Sequence, residues 1–188
     1  EDRMDERKSM IEGRTDMAAH AEWRDDVTAL IATKRAVTYA QATGHRLHIL
    51  HLTSGIEADY LSEFTSLHGT EGKAHITTEV LPQHLTLDER DVEQLGTRLK
   101  MNPPIRYQKD KETLWKRLYD GTIACIATDH APHTLEAKAK GRYTTAFVGD
   151  SSLTYKKTIE EVTNQRRKRL FKIHEKATSY FINRMEIK

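Results

Sequence analysis

The run Ile123-Ala124-Cys125-Ile126-Ala127-Thr128 constrains the fold more than any other stretch of the chain. It is short, apolar and β-branched in bias, and Gly121 bounds it on one side, which is how a strand buried on both faces reads. Such a strand belongs to a parallel sheet with helices packed on it, and folds of that kind gather their chemistry at the carboxyl ends of the strands. Asp129, His130 and His133 stand at that end, with Pro132 stiffening the turn between the histidines. Taken alone, a polar loop whose histidines satisfy hydrogen bonds would look the same.

The rest of the chain repeats the pattern. Asp25 or Asp26 is placed to cap a helix running to about Thr43, with Val27, Leu30, Ile31, Val37 and Ala40 as its apolar stripe and Gly44 as a left-handed stop. Leu47 to Leu52 then reads as a buried strand. Ser54 and Glu57 have capping-box spacing for a helix carrying Leu61, Phe64 and Leu67 as far as Gly69. His75 to Leu81 is a second strand stopped by Pro82, and a polar helix or loop covers roughly Leu87 to Leu95. The adjacent prolines of MNPPIR at 101–106 exclude helix. Asp110 is placed to cap a helix with Leu114, Trp115 and Leu118, ended by Gly121. Strand and helix in alternation predict parallel βα units.

Composition narrows the function classes. The chain has 188 residues, room for one large domain or part of a larger one, and a formal charge of +2 that gives no general affinity for polyanions. The basic run Gln165–Arg169 lacks the wider basic face and stacking aromatics of a nucleic-acid site, so it reads as a solvated helix face within a helical tail over 139–188. No apolar run approaches membrane-span length and no signal peptide is visible, so neither a nucleic acid nor a membrane is expected as a partner. Cys125 is the only cysteine, which excludes an internal disulfide and a zinc–thiolate cluster and fits a reducing cytoplasm. Ten histidines favour an imidazole–carboxylate metal site instead.

Four motifs, in order along 1–138, resemble the dihydroorotases, metal-dependent amidohydrolases with a (β/α)8 TIM barrel. RLHILHLTS resembles the family's sixth-strand segment, whose second histidine binds zinc; that role falls on His51. On an ideal strand His48 and His51, three apart, point to opposite faces, which leaves His48 as a packed or hydrogen-bonded residue. ITTEVLPQHLTL resembles the seventh-strand motif with Gln83 in place of the first histidine of a pair, and His84 is expected to make a supporting hydrogen bond. MNPPIR resembles a hallmark whose asparagine binds the dihydropyrimidine ring, so Asn102 inherits substrate binding. In TDHAPH the family's aspartate binds zinc and shuttles the proton while the second histidine contacts substrate, which implies Asp129 as catalytic residue and metal ligand and His133 as substrate-binding. HAEWRD at 20–25 resembles a stretch following the fifth strand, with Ala21 for proline, and residues 12–19 make a poor strand; His20 is therefore not expected to bind metal.

The resemblance implies the carboxyl-terminal half of a barrel, about strands six to eight, since a whole one needs about 250 residues. It implies two zinc ions per complete site and the interconversion of N-carbamoyl-aspartate and dihydroorotate in pyrimidine biosynthesis. The family's first-strand HxH, its bridging carboxylate and the groups that hold the substrate carboxylate match nothing here, and FVGDSSL stands where the family has a proline–glycine loop. The isolated chain is accordingly expected to be inactive and to self-associate. A hydantoinase or allantoinase activity is an alternative, as is a non-catalytic scaffold for aspartate carbamoyltransferase; a homo-oligomer or that enzyme is the partner such a chain would take.

Overall fold

The computed structural model describes residues 2–65, 75–129 and 134–139. Three parallel strands form one sheet in the order β1 (Leu47–Ile49), β2 (Ile76–Val80), β3 (Cys125–Ile126), with β2 in the centre. Between them run the helices that make parallel connection possible, so the alternation in the sequence is reproduced in the chain path.

The amino-terminal segment forms α1 (Asp2–Arg7), a 3-10 turn (Lys8–Ile11) and α2 (Ala18–Trp23). None of α1 is buried, as its charged sequence predicts. α3 (Asp26–Thr43) begins where the Asp25 carboxylate accepts the Thr28 N–H at 2.8 Å and stops at Gly44, whose φ of 70° favours glycine. Its buried face is Thr33, Val37 and Ala40, whereas Val27 and Ile31 of the expected stripe are exposed. The helix packs against β1 and α4, and its burial falls on the face of Thr33, Val37 and Ala40.

α4 (Gly55–Leu61) starts at Ser54 and packs between α3 and α7 (Gln108–Tyr119). Gly55 eases that approach: a Cβ there would lie 3.1 Å from Thr113 Cβ, tighter than ordinary contact. Asp110 sits in the first turn of α7 rather than before it. Its carboxylate accepts the Gly55 N–H at 2.8 Å and the Tyr107 N–H at 3.3 Å, so one side chain satisfies two helix starts. Pro82 opens a short helix, α5 (Pro82–Thr86), that the sequence reading leaves out; proline is suited to a first helical position, where no N–H is needed. α6 (Glu89–Leu95) is capped by Asp88, and α8 (Leu135–Ala139) follows the third strand. MNPPIR is non-helical, as its prolines require.

Buried apolar side chains on the sheet, on α3, α4 and α7 and in the turns between them include Val37, Leu52, Leu61, Ile76, Val80, Leu114 and Ile123. A further cluster gathers Ile11, Met17, Ala19, Leu81, Leu87, Val92, Leu99, Met101 and Ile105 near the carboxyl ends of the strands. The strands themselves are shorter than their apolar runs, and two expectations of burial fail. Cys125 and Ile126 are both exposed, and Leu50 is 60% exposed. Among the described residues β1 and β3 are the two edges of the sheet, and His48 on one and Cys125 on the other are exposed. No helix among the described residues is long and apolar enough to cross a membrane.

Candidate functional site

Both residues to which the sequence assigns metal binding leave their strands in the same unusual way. His51 has φ 53° and Asp129 φ 42°; among the described residues they are the two non-glycine positions with positive φ. Left-handed backbone at a non-glycine residue costs about 1–3 kcal/mol and persists where the surroundings demand it, commonly at functional sites. The turn after β1 and the turn after β3 thereby bring His51 Nε2 to 3.5 Å from Asp129 Oδ2. β2 lies between those strands and supplies a carboxylate against the His51 ring.

That group is Glu79, which is 93% buried and was not singled out from sequence. Its Oε1 is 2.9 Å from His51 Nδ1, in a contact too poorly aligned for a hydrogen bond, and its Oε2 is 3.1 Å from His48 Nε2. The two histidines therefore do not diverge. Opposite orientation assumes an unbroken strand, but β1 ends at Ile49 and the left-handed turn swings His51 back toward Glu79. The alternation in ITTEV, which puts Thr77 and Glu79 on one face and Glu79 near the strand's carboxyl end, was the available signal.

Asn102 belongs to a loop held from several sides. His20 lies on α2, 4% exposed, with Nε2 at 3.0 Å from both the Met101 carbonyl and Asn102 Oδ1. Both partners are acceptors, so Nε2 carries the proton and the imidazole is neutral. Burial pushes its pKa down to about 4, against the opposing pull of the Met101 carbonyl. Buried His84 on α5 donates likewise from Nε2 to the Pro103 carbonyl at 3.2 Å, and burial pushes it down to about 3, with Arg106 and His51 adding positive charge nearby. Arg106, buried at the loop's end, donates to Thr53 Oγ1 at 2.9 Å and to the Arg24 carbonyl at 2.8 Å. His84 thus makes the supporting bond expected of it, and His20 is on a helix, holding Asn102. No described contact joins Asn102 directly to His51 or Asp129; His84 bonds the Pro103 carbonyl and feels His51 electrostatically. His130 and His133 lie outside the described residues.

No family model matches the chain. The dihydroorotase of Staphylococcus epidermidis is 39% identical over 115 residues, 61% of this chain and 26% of that protein. The dihydroorotase of Latilactobacillus sakei subsp. sakei is 44% identical over 106 residues, 56% and 24% of the two chains. That of Staphylococcus aureus is 34% identical over 132 residues, 70% and 30%. The chain thus spans less than a third of the length of these relatives. Among solved structures, an L-hydantoinase (dihydropyrimidinase) from Arthrobacter aurescens superposes with TM-score 0.72 at 27% identity over 81% of this chain and 34% of its own. A D-hydantoinase from a Thermus species gives 0.74 at 22% identity over 89% and 37%, a likeness of fold. By sequence the chain is similar to the dihydroorotases, and by fold to the TIM-barrel amidohydrolases.

Proposed function

We propose that the chain supplies the carboxyl-terminal half, about strands six to eight, of a (β/α)8 barrel that interconverts N-carbamoyl-aspartate and dihydroorotate. The observation that carries this reading is the pairing of His51 with Asp129. Two residues on separate strands adopt costly left-handed backbone and face one another at the carboxyl end of a parallel sheet. The donor set fits zinc in kind and spacing: an imidazole nitrogen and a carboxylate oxygen 3.5 Å apart span about one edge of a tetrahedral site. Zinc takes three or more protein ligands, so these two need others beyond the described residues.

Zinc held by His51 and Asp129 would supply Lewis-acid polarisation of the ring amide. Asp129 takes a proton from the attacking water and returns it to the leaving amide nitrogen, and its carboxylate is suited to both directions of the equilibrium. Glu79, in contact with the His51 ring, fixes the orientation of that ligand. Asn102, with its carbonyl oxygen engaged by His20, keeps its amide N–H groups for a ring acceptor. His133 contributes a further substrate contact in this reading.

The test replaces the corresponding segment of the Staphylococcus epidermidis dihydroorotase with residues 1–138 of this chain, which carry the four motifs. The chimera should hydrolyse dihydroorotate, and Asp129→Asn in it should lower turnover at least about 100-fold, the usual range for lost acid–base catalysis. A folded chimera that acts on hydantoin or allantoin and not on dihydroorotate moves the assignment to those substrates. Full turnover by the Asn variant removes Asp129 from the mechanism. The 188-residue chain alone, given zinc, should show none.

A further inference from the structure

The strand register assembles a second donor group one layer deeper in the sheet than His51 and Asp129. His48 on β1 is opposite Thr77, and Glu79, two residues along β2, is opposite Cys125 on β3. Residues two apart on a strand share a face, as do residues directly opposite, so His48, Glu79 and Cys125 project to the same side of three adjacent strands. One nitrogen, one carboxylate oxygen and the sulfur lie within 4.8 Å of one another. Glu79 is buried while His48 and Cys125 are exposed, so the group is anchored below and open above.

We propose that His48, Glu79 and Cys125 form a site for a tetrahedral divalent ion of the zinc type, with the fourth position open to solvent. One imidazole, one carboxylate and one thiolate make a borderline-soft set that favours zinc or cobalt over magnesium or calcium. Ligand atoms on a tetrahedral ion of this class are about 3.3–3.8 Å apart. His48 Nε2 and Glu79 Oε2, at 3.1 Å, already approach that spacing, so closure falls to the exposed Cys125 side chain. Thr77 Oγ1, 2.7 Å from His48 Nδ1, is the outer partner that orients a ligating imidazole: with Nδ1–H donated to the hydroxyl, the Nε2 lone pair faces Glu79. Coordination forms the sulfur–metal bond and releases the thiol proton to solvent. The site uses none of the ligands of the proposed amidohydrolase chemistry, His51 and Asp129, and meets it only through Glu79, whose other oxygen touches the His51 ring.

Cobalt(II) titration of the full 188-residue chain tests it, because a thiolate ligand gives a near-ultraviolet charge-transfer band that imidazole and carboxylate do not. The expected result is a band saturating at one equivalent, displaced by zinc, absent in Cys125→Ser, and requiring at least tenfold more cobalt in His48→Ala and in Glu79→Gln. It should survive His51→Ala, with circular dichroism confirming that each variant folds. Absence of the band in the parent chain overturns the proposal. So does a band indifferent to both His48→Ala and Glu79→Gln, which would mean a thiol binding alone. Cobalt bound without the band and lost in His51→Ala overturns it too, while leaving the amidohydrolase reading standing.

Discussion

Lowering the pH from 7 to 5 should destabilise this fold through two histidines that never reach solvent. His20 and His84 are buried, neutral and engaged as donors to the loop at 101–103, with pKa values pushed down to about 4 and about 3. In the unfolded chain each returns to about 6.5. Below that value the unfolded state takes up protons that the folded state refuses, so stability falls with pH at about 1.4 kcal/mol per unit per histidine until the folded pKa is reached. Between pH 7 and 5 the loss is about 2 kcal/mol for each and about 4 kcal/mol together, a large part of the 5–15 kcal/mol of an ordinary domain. A histidine equally exposed in both states contributes nothing to this difference. Glu57 works in the opposite sense: burial raises its pKa, despite hydrogen bonds from Thr33 and Ser54, so its destabilising effect at neutral pH fades as pH falls through the raised value. Urea unfolding at the two pH values reads the sum. His20→Gln and His84→Gln keep an N–H donor without a titrating ring, and each should shrink the drop by about 2 kcal/mol. A double variant whose stability falls as far as the parent's would refute the assignment of these rings as buried neutral donors.

Other outcomes follow from single contacts. Asp110→Ala removes the acceptor for the Gly55 and Tyr107 N–H groups and should cost about 1–3 kcal/mol in urea unfolding, with Asp110→Asn losing less because it retains one acceptor. At His51, glycine should be more stable than alanine by about 1 kcal/mol, since only glycine adopts φ 53° without strain; equal stabilities would mean the left-handed turn is absent. In the dihydroorotase chimera, His51→Ala should lower the zinc content measured by elemental analysis whereas His20→Ala should leave it unchanged, and zinc loss from the His20 variant would make that residue a ligand.

The parts of this molecule legible in the sequence are those that local chemistry decides. The Asp25 carboxylate and the absence of a Cβ at Gly44 bound α3, and Pro103 and Pro104 keep their loop out of helix whatever surrounds it. The β-branched runs mark where strands lie, but not which faces are covered, because covering depends on what packs from elsewhere. Hence Val27 and Ile31 look like core and are exposed, and Cys125 and Ile126 read as doubly buried in what proves to be an edge strand. The same distinction runs through the site. His51 and Asp129 could be named from their motifs, yet the left-handed turns that bring them together carry only a weak signature, since histidine and aspartate tolerate that backbone better than most residues but do not require it as a glycine would suggest. Glu79 was hidden because one carboxylate in a strand has no meaning until the neighbouring strand and its turn present imidazoles to it. His20 was hidden more deeply, since its partners, Met101 and Asn102, lie about eighty residues away. What sequence spacing supplies is therefore a set of ends, and what the sheet adds is which ends meet. In this chain they meet at Glu79, the carboxylate on the central strand that reaches both histidines of β1 and its turn.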